Sequence, residues 1–100
     1  MQERRGSEMR SISELTDEVE LKAALASRVN ELITSRGLSQ SEAAAKIGTT
    51  QPKISQIRRY KLSSISVGRL LRALVALEQQ VDILIRPSEQ RTSPGVRVAA

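Results

Sequence analysis

The stretch Ser39–Tyr60, SQSEAAAKIGTTQPKISQIRRY, decides the reading of this chain. Ser39 is followed three residues later by Glu42, the pattern of a capping box, which predicts a helix opening at Gln40. Ala43, Ala44 and Ile47 give that helix a short apolar face. Gly48 stops it, because a residue without a Cβ adopts the left-handed conformation at low cost. Thr49 and Thr50 offer hydroxyls to cap a second helix, and Pro52 suits its first turn, where no backbone donor is needed. Ile54 and Ile57 then face inward together. Around them stand Gln51, Lys53, Ser55, Gln56, Arg58 and Arg59, rich in donors and with no acid among them. A helix that lies in the major groove of DNA needs such a face.

Composition narrows the alternatives. One hundred residues suggest one domain with a small helical core. One Tyr and no Phe or Trp leave that core to Leu, Ile, Val and Ala. With no Cys and no His, disulfides, thiol chemistry, zinc fingers and histidine catalysis are excluded. Only scattered carboxylates remain for acid–base work, so an enzyme is not expected, nor a cofactor or a metal. No apolar run is long enough to span a membrane, and the N-terminus lacks the apolar segment of a secretory signal, so a cytoplasmic protein is expected.

The net charge of +5 is unevenly placed. Residues 43–77 hold Lys46, Lys53, Arg58, Arg59, Lys61, Arg69 and Arg72 and no acid, whereas residues 1–42 are net acidic. A basic segment coinciding with the second motif helix points to a polyanion.

Outside the motif, residues 1–15 are polar and read as a flexible arm, with a short strand considered at Arg10–Leu15. Asp17, with Glu20 three residues on, predicts the cap of a helix that carries Leu21, Leu25, Val29, Leu32 and Ile33 and ends at Gly37. Lys61–Ser64 read as a loop. Ser66 caps a further helix with an apolar stripe of Val67, Leu70, Leu71, Leu74 and Leu77. From Val81 the period changes to two: Val81, Ile83 and Ile85 alternate with Asp82, Leu84 and Arg86, and Pro87 closes the run, as in a β-strand. A lone strand needs a partner. The simplest is the same strand of a second chain across a twofold axis. Pairing with Arg10–Leu15 or Val96–Val98 of the same chain is the alternative. Residues 88–100 read as a disordered tail.

The motif resembles the helix-turn-helix of the phage-repressor (Cro, lambda-repressor, Xre-like) family. Counting Gln40 as the first position, Ala44 stands at the fifth, Gly48 at the ninth, and Ile47, Ile54 and Ile57 at the eighth, fifteenth and eighteenth, as that family's pattern wants. Gln40 and Gln51 open the two helices, again as in the family. Thr49 departs, since an apolar residue is usual there. Residues 16–87 resemble a compact subgroup with one such domain and a short C-terminal strand, many of them HigA-like antitoxins.

The resemblance implies an all-α, lambda-repressor-like bundle of four to five helices with one C-terminal β-strand. It implies a dimeric, sequence-specific transcriptional regulator on a near-palindromic operator, acting as a repressor, with a toxin as partner in the antitoxin case. A protein-binding adaptor without DNA binding is the alternative. Residues 16–80 would be the DNA-binding domain and 81–87 the dimerisation strand. Gln51, Lys53, Ser55 and Gln56, crowding the start of the recognition helix, are expected at bases, and Gln40, Arg58, Arg59 and Lys61 at phosphates. Thr50 joins this DNA-binding set. Leu77, Val81, Ile83, Leu84 and Ile85 are expected at the dimer interface.

Overall fold

The computed structural model describes the backbone of residues 2–87, Gly95 and Val98, and the side chains from Asp17 onward. Among the described residues four helices succeed one another: α1 Gln2–Ser35, α2 Gln40–Ile47, α3 Gln51–Arg58 and α4 Val67–Ala76. Three of them start where the caps predict. Ser39 Oγ accepts from the Glu42 backbone N–H at 3.0 Å while the Ser39 N–H donates to Glu42 Oε1 at 2.9 Å. Ser66 Oγ accepts from the Arg69 N–H at 3.0 Å. Thr50 caps α3, and Pro52 sits in its first turn.

α1 departs from expectation. It starts at Gln2, so Asp17 lies inside it and caps nothing, and the strand considered at Arg10–Leu15 is helix instead. No proline interrupts residues 2–35, and Glu, Arg, Met and Leu propagate a helix at little cost. An acid with a second acid three residues on marks a helix start only if something upstream breaks the helix.

The C-termini share one geometry. After each helix a left-handed residue lets two amides turn back on the last carbonyls. Leu38 N–H donates to Ile33 O and Gly37 N–H to Thr34 O, each at 3.0 Å. Thr49 and Gly48 close α2, Lys61 and Tyr60 close α3, and Gln79 and Glu78 close α4. Gly37 and Gly48 suit the left-handed position, but Tyr60 (φ 59°) and Glu78 (φ 69°) carry side chains there. That conformation costs roughly 1–2 kcal/mol in a residue with a Cβ. At both of these ends a side chain from α1 or from the residue just past it supplies an extra hydrogen bond. Asn30 Nδ2 donates to Ile57 O at 3.0 Å, and Arg36 Nη2 to Leu77 O at 2.6 Å.

The core gathers where the four helices meet. Leu25, Ala26, Val29 and Ile33 of α1 face Ala43, Ala44, Ile54, Ile57, Leu70, Ala73 and Leu74, with Leu77 beneath. Leu62 and Ile65, in the connection between α3 and α4, are buried too. The sequence reading missed them because two isolated apolar residues among serines show no period. Lys22 Nζ ties that connection to α1 by donating to Leu62 O at 3.1 Å.

The C-terminal strand does not appear among the described residues. Residues 81–87 have no regular structure. Val81 packs half-buried against the core, while Ile83, Leu84 and Ile85 are 73, 79 and 89% exposed. A strand exists only through its ladder, and the described residues of one chain, all of whose elements are helices, offer no edge to pair with. The alternative pairing with Arg10–Leu15 is removed by the helix there, and Val96–Val98 lies largely outside the described residues, as does the tail expected over 88–100.

Candidate nucleic-acid interface

α2 and α3 are joined by Gly48, Thr49 and Thr50. Ala43 and Ala44, buried and small, let the two helices approach closely, and Ile54 and Ile57 anchor α3 beneath them. Their burial sets the outward face of α3. At 100° per residue, Pro52, Ser55, Gln56 and Arg59 point away from the core, with Gln51 and Lys53 on the flanks. Gln51, Arg59 and Lys61 are exposed, and Lys53, Ser55 and Gln56 half-buried. Gln40 stands exposed at the first position of α2, beside the capped N-terminus. Helix N-termini attract anions through their unpaired N–H groups.

Hydrogen bonds sort the predicted residues further. Thr50 Oγ1 accepts from the Lys53 N–H at 3.4 Å, so its hydroxyl serves α3 as a cap. Gln56 Oε1 accepts from Ser64 Oγ at 3.4 Å, which steadies it from the α3–α4 connection. Arg58 does not share the outward face. Its Nη1 donates to Asn30 O at 3.0 Å and Asn30 Oδ1 at 3.3 Å, and its Nη2 to Thr34 Oγ1 at 3.2 Å. Arg69 Nη1 donates to Thr49 Oγ1 at 3.5 Å. A polar turn residue tethered to α4 thus stands where the family pattern has an apolar one.

Of the seven cations in residues 43–77, Arg58 and Arg69 are engaged within the protein. Lys46, Lys53, Arg59, Lys61 and Arg72 have no hydrogen-bond or ion-pair partner among the described residues. Three of these five, Lys53, Arg59 and Lys61, belong to α3 or lie just past its end. α3 therefore combines donors on its face with free positive charge at its end. Leu77 is fully buried and Val81 half-buried, whereas Ile83, Leu84 and Ile85 stand in solvent, so the five residues predicted for dimerisation do not form one exposed patch.

The residues supporting α3 and α4 that sequence reasoning missed are Asn30, Thr34, Arg36 and Ser64. They hold α3 or α4 through bonds across 8 to 41 positions, and no local pattern signals them.

Comparison with known proteins agrees with this geometry. A family model described as a helix-turn-helix domain matches residues 12–86. No curated protein matches the chain. Among solved structures, one described as a "Putative XRE Family Transcriptional Regulator" is 42% identical, with a TM-score of 0.80, and the match covers 85% of this chain and 97% of that one. No helix among the described residues is long and apolar enough to cross a membrane. On the extent of the family match and the likeness of the solved structure, the chain belongs to the helix-turn-helix domain family.

Proposed function

We propose that this protein is a sequence-specific DNA-binding transcriptional regulator that acts as a dimer on a near-palindromic operator and represses by occupying it. The observation that carries the proposal is α3: an eight-residue helix whose outward face, Pro52 aside, offers donors and no acid, with Lys53 in its first turn and Arg59 and Lys61 just past its end, none of the three with a partner among the described residues. The same face argues against an adaptor for proteins, which would not need to exclude acids. In this reading Gln51, Lys53, Ser55 and Gln56 meet base edges, and Gln40, Arg59 and Lys61 meet phosphates. The solved relative, an XRE-family regulator by its description, supports the regulatory role. The resemblance to HigA-like antitoxins adds a toxin as a second partner to the proposal.

Binding to duplex DNA is expected to weaken steeply with salt, by about −0.9 in log–log slope for every phosphate neutralised. Fluorescence titrations at several salt concentrations measure the slope. An affinity unchanged from low to moderate salt would count against the proposal.

The division of labour is tested by two variants on two DNAs: a duplex that the wild-type chain selects from a randomised pool, and a random duplex. Gln51→Ala is expected to weaken binding to the selected duplex by about 1–3 kcal/mol and to relax discrimination. Arg59→Ala should weaken both duplexes alike. Indistinguishable behaviour of the two variants on the two DNAs would refute the assignment.

A further inference from the structure

α3 is about 12 Å long at 1.5 Å per residue. Its packing on α1 and α2 runs through Ile54 and Ile57, and apolar contact is non-directional. Contact through two residues of so short a helix constrains its tilt less tightly than hydrogen bonds at its end do. Direction comes from hydrogen bonds, and at the C-terminal end most of these lead to α1, while Gln56 is tied to Ser64. Asn30 Nδ2 donates to Ile57 O at 3.0 Å. Asn30 O and Oδ1 accept from Arg58 Nη1, and Thr34 Oγ1 accepts from Arg58 Nη2. Donor and acceptor thus run both ways between Asn30 and the end of α3. Nearby, Tyr60 is held left-handed at φ 59° although it carries a side chain. Strain of this kind persists only where the surroundings over-determine the backbone.

We propose that Asn30, Arg58 and Thr34 form a positioning lock that sets the angle at which α3 presents Gln51–Gln56, and so sets sequence discrimination. The inference rests on the reading that α3 enters the major groove. In it Arg58 is a positioning residue whose charge is engaged by α1 and not by a phosphate. Base recognition through paired hydrogen bonds tolerates misplacement of only about 0.5 Å and 10–20°. Phosphate contacts by long, flexible cations tolerate more. Opening the lock therefore costs specific binding and spares non-specific binding.

Asn30→Ala and Arg58→Met are measured on the selected and the random duplex. Each variant is expected to lose about tenfold in affinity for the selected duplex and little for the random one, with the salt slope unchanged. A slope reduced by about 0.9 in Arg58→Met would make Arg58 a phosphate contact and overturn the lock. Equal losses on both duplexes would overturn it too. Stability is separated from positioning by adding Tyr60→Gly to Asn30→Ala, because glycine relieves the left-handed strain. The double variant should regain melting temperature but not discrimination. If discrimination returned with stability, Asn30 would be merely structural. Amide exchange supplies an arm without DNA: Lys61 N–H, bonded to Gln56 O at 2.9 Å, should exchange faster in Asn30→Ala, and unchanged exchange would overturn the lock. A wild-type chain that selects no duplex sinks the DNA-binding reading along with the lock. A selected duplex that Asn30→Ala holds as well as wild type sinks the lock alone.

Discussion

Replacing Ile54 by Ala is expected to destabilise the protein by about 2–5 kcal/mol, the range for removing a fully buried branched side chain from a packed core. Ile54 is 0% exposed and sits where α3 meets the buried Ala43 and Ala44 of α2 and the apolar face of α1. With no Phe or Trp in the chain, the neighbours that could close on the space are aliphatic side chains already packed in the core. In a domain of this size each kcal/mol lowers the melting temperature by about 4–8 °C. Ile54→Val, which removes one methyl group, should cost only about 0.5–1.5 kcal/mol. Urea titrations of both variants measure the difference. Near-wild-type stability of Ile54→Ala would show that the helix pair is not held through this residue. Ile54 is buried and off the outward face of α3, so on the proposed reading the variant loses no direct contact to DNA.

If the protein is the dimer proposed above, replacing Ile83 by Pro is expected to give a monomer that keeps its helices and loses most of its affinity for the selected duplex. Ile83, Leu84 and Ile85 are large, apolar, consecutive and exposed. Their alternation with Asp82 and Arg86 suits a strand, and Pro87 would stop pairing from running on. Because these side chains touch little in the single chain, a substitution there should leave the four-helix core intact. Proline removes a ladder donor and disfavours the extended pairing of two chains. Two half-sites bound together outdo one by about 10²–10⁴ through effective concentration alone, and a monomer forfeits that factor. Sedimentation gives the oligomeric state, circular dichroism the helix content, and titration with the selected duplex the affinity. A dimeric Ile83→Pro would move the interface elsewhere, with the exposed Val75 on α4 the first place to look. A variant that unfolded would place residues 81–87 in the core of the single chain.

The two variants probe opposite ends of what the sequence reveals. Ile54 was legible as core from its spacing to Ile57 and from the caps around α2 and α3. Those signals are local: a hydroxyl and the amide three residues on, a glycine after a helix, apolar residues one turn apart. Each acts within a turn, so a short stretch of chain contains the whole cause. The same reasoning failed at the start of α1, because a cap-like pair inside an uninterrupted run of helix formers is only a solvated pair. It failed at Leu62 and Ile65, whose burial comes from the path of the connection over the core and not from any period. At residues 81–87 the pattern describes what the segment could pair with, and a single chain of helices cannot display that pairing.

The sequence by itself determined that α2, its turn and α3 form a helix-turn-helix, that α3 bears donors without acids, and that the core is aliphatic. Propensity, capping and periodicity suffice for this, since each depends on neighbours within about four residues. Only the tertiary structure decided which cations are free. Arg58 and Arg59 are adjacent and look alike in the sequence, yet 100° around the helix separates a guanidinium bound to α1 from one left in solvent. Asn30 and Arg36 likewise acquire their roles, at the ends of α3 and α4, only when packing brings residues 27 and 41 positions apart within hydrogen-bond reach. Such bonds depend on the mutual placement of whole helices, which no local pattern encodes.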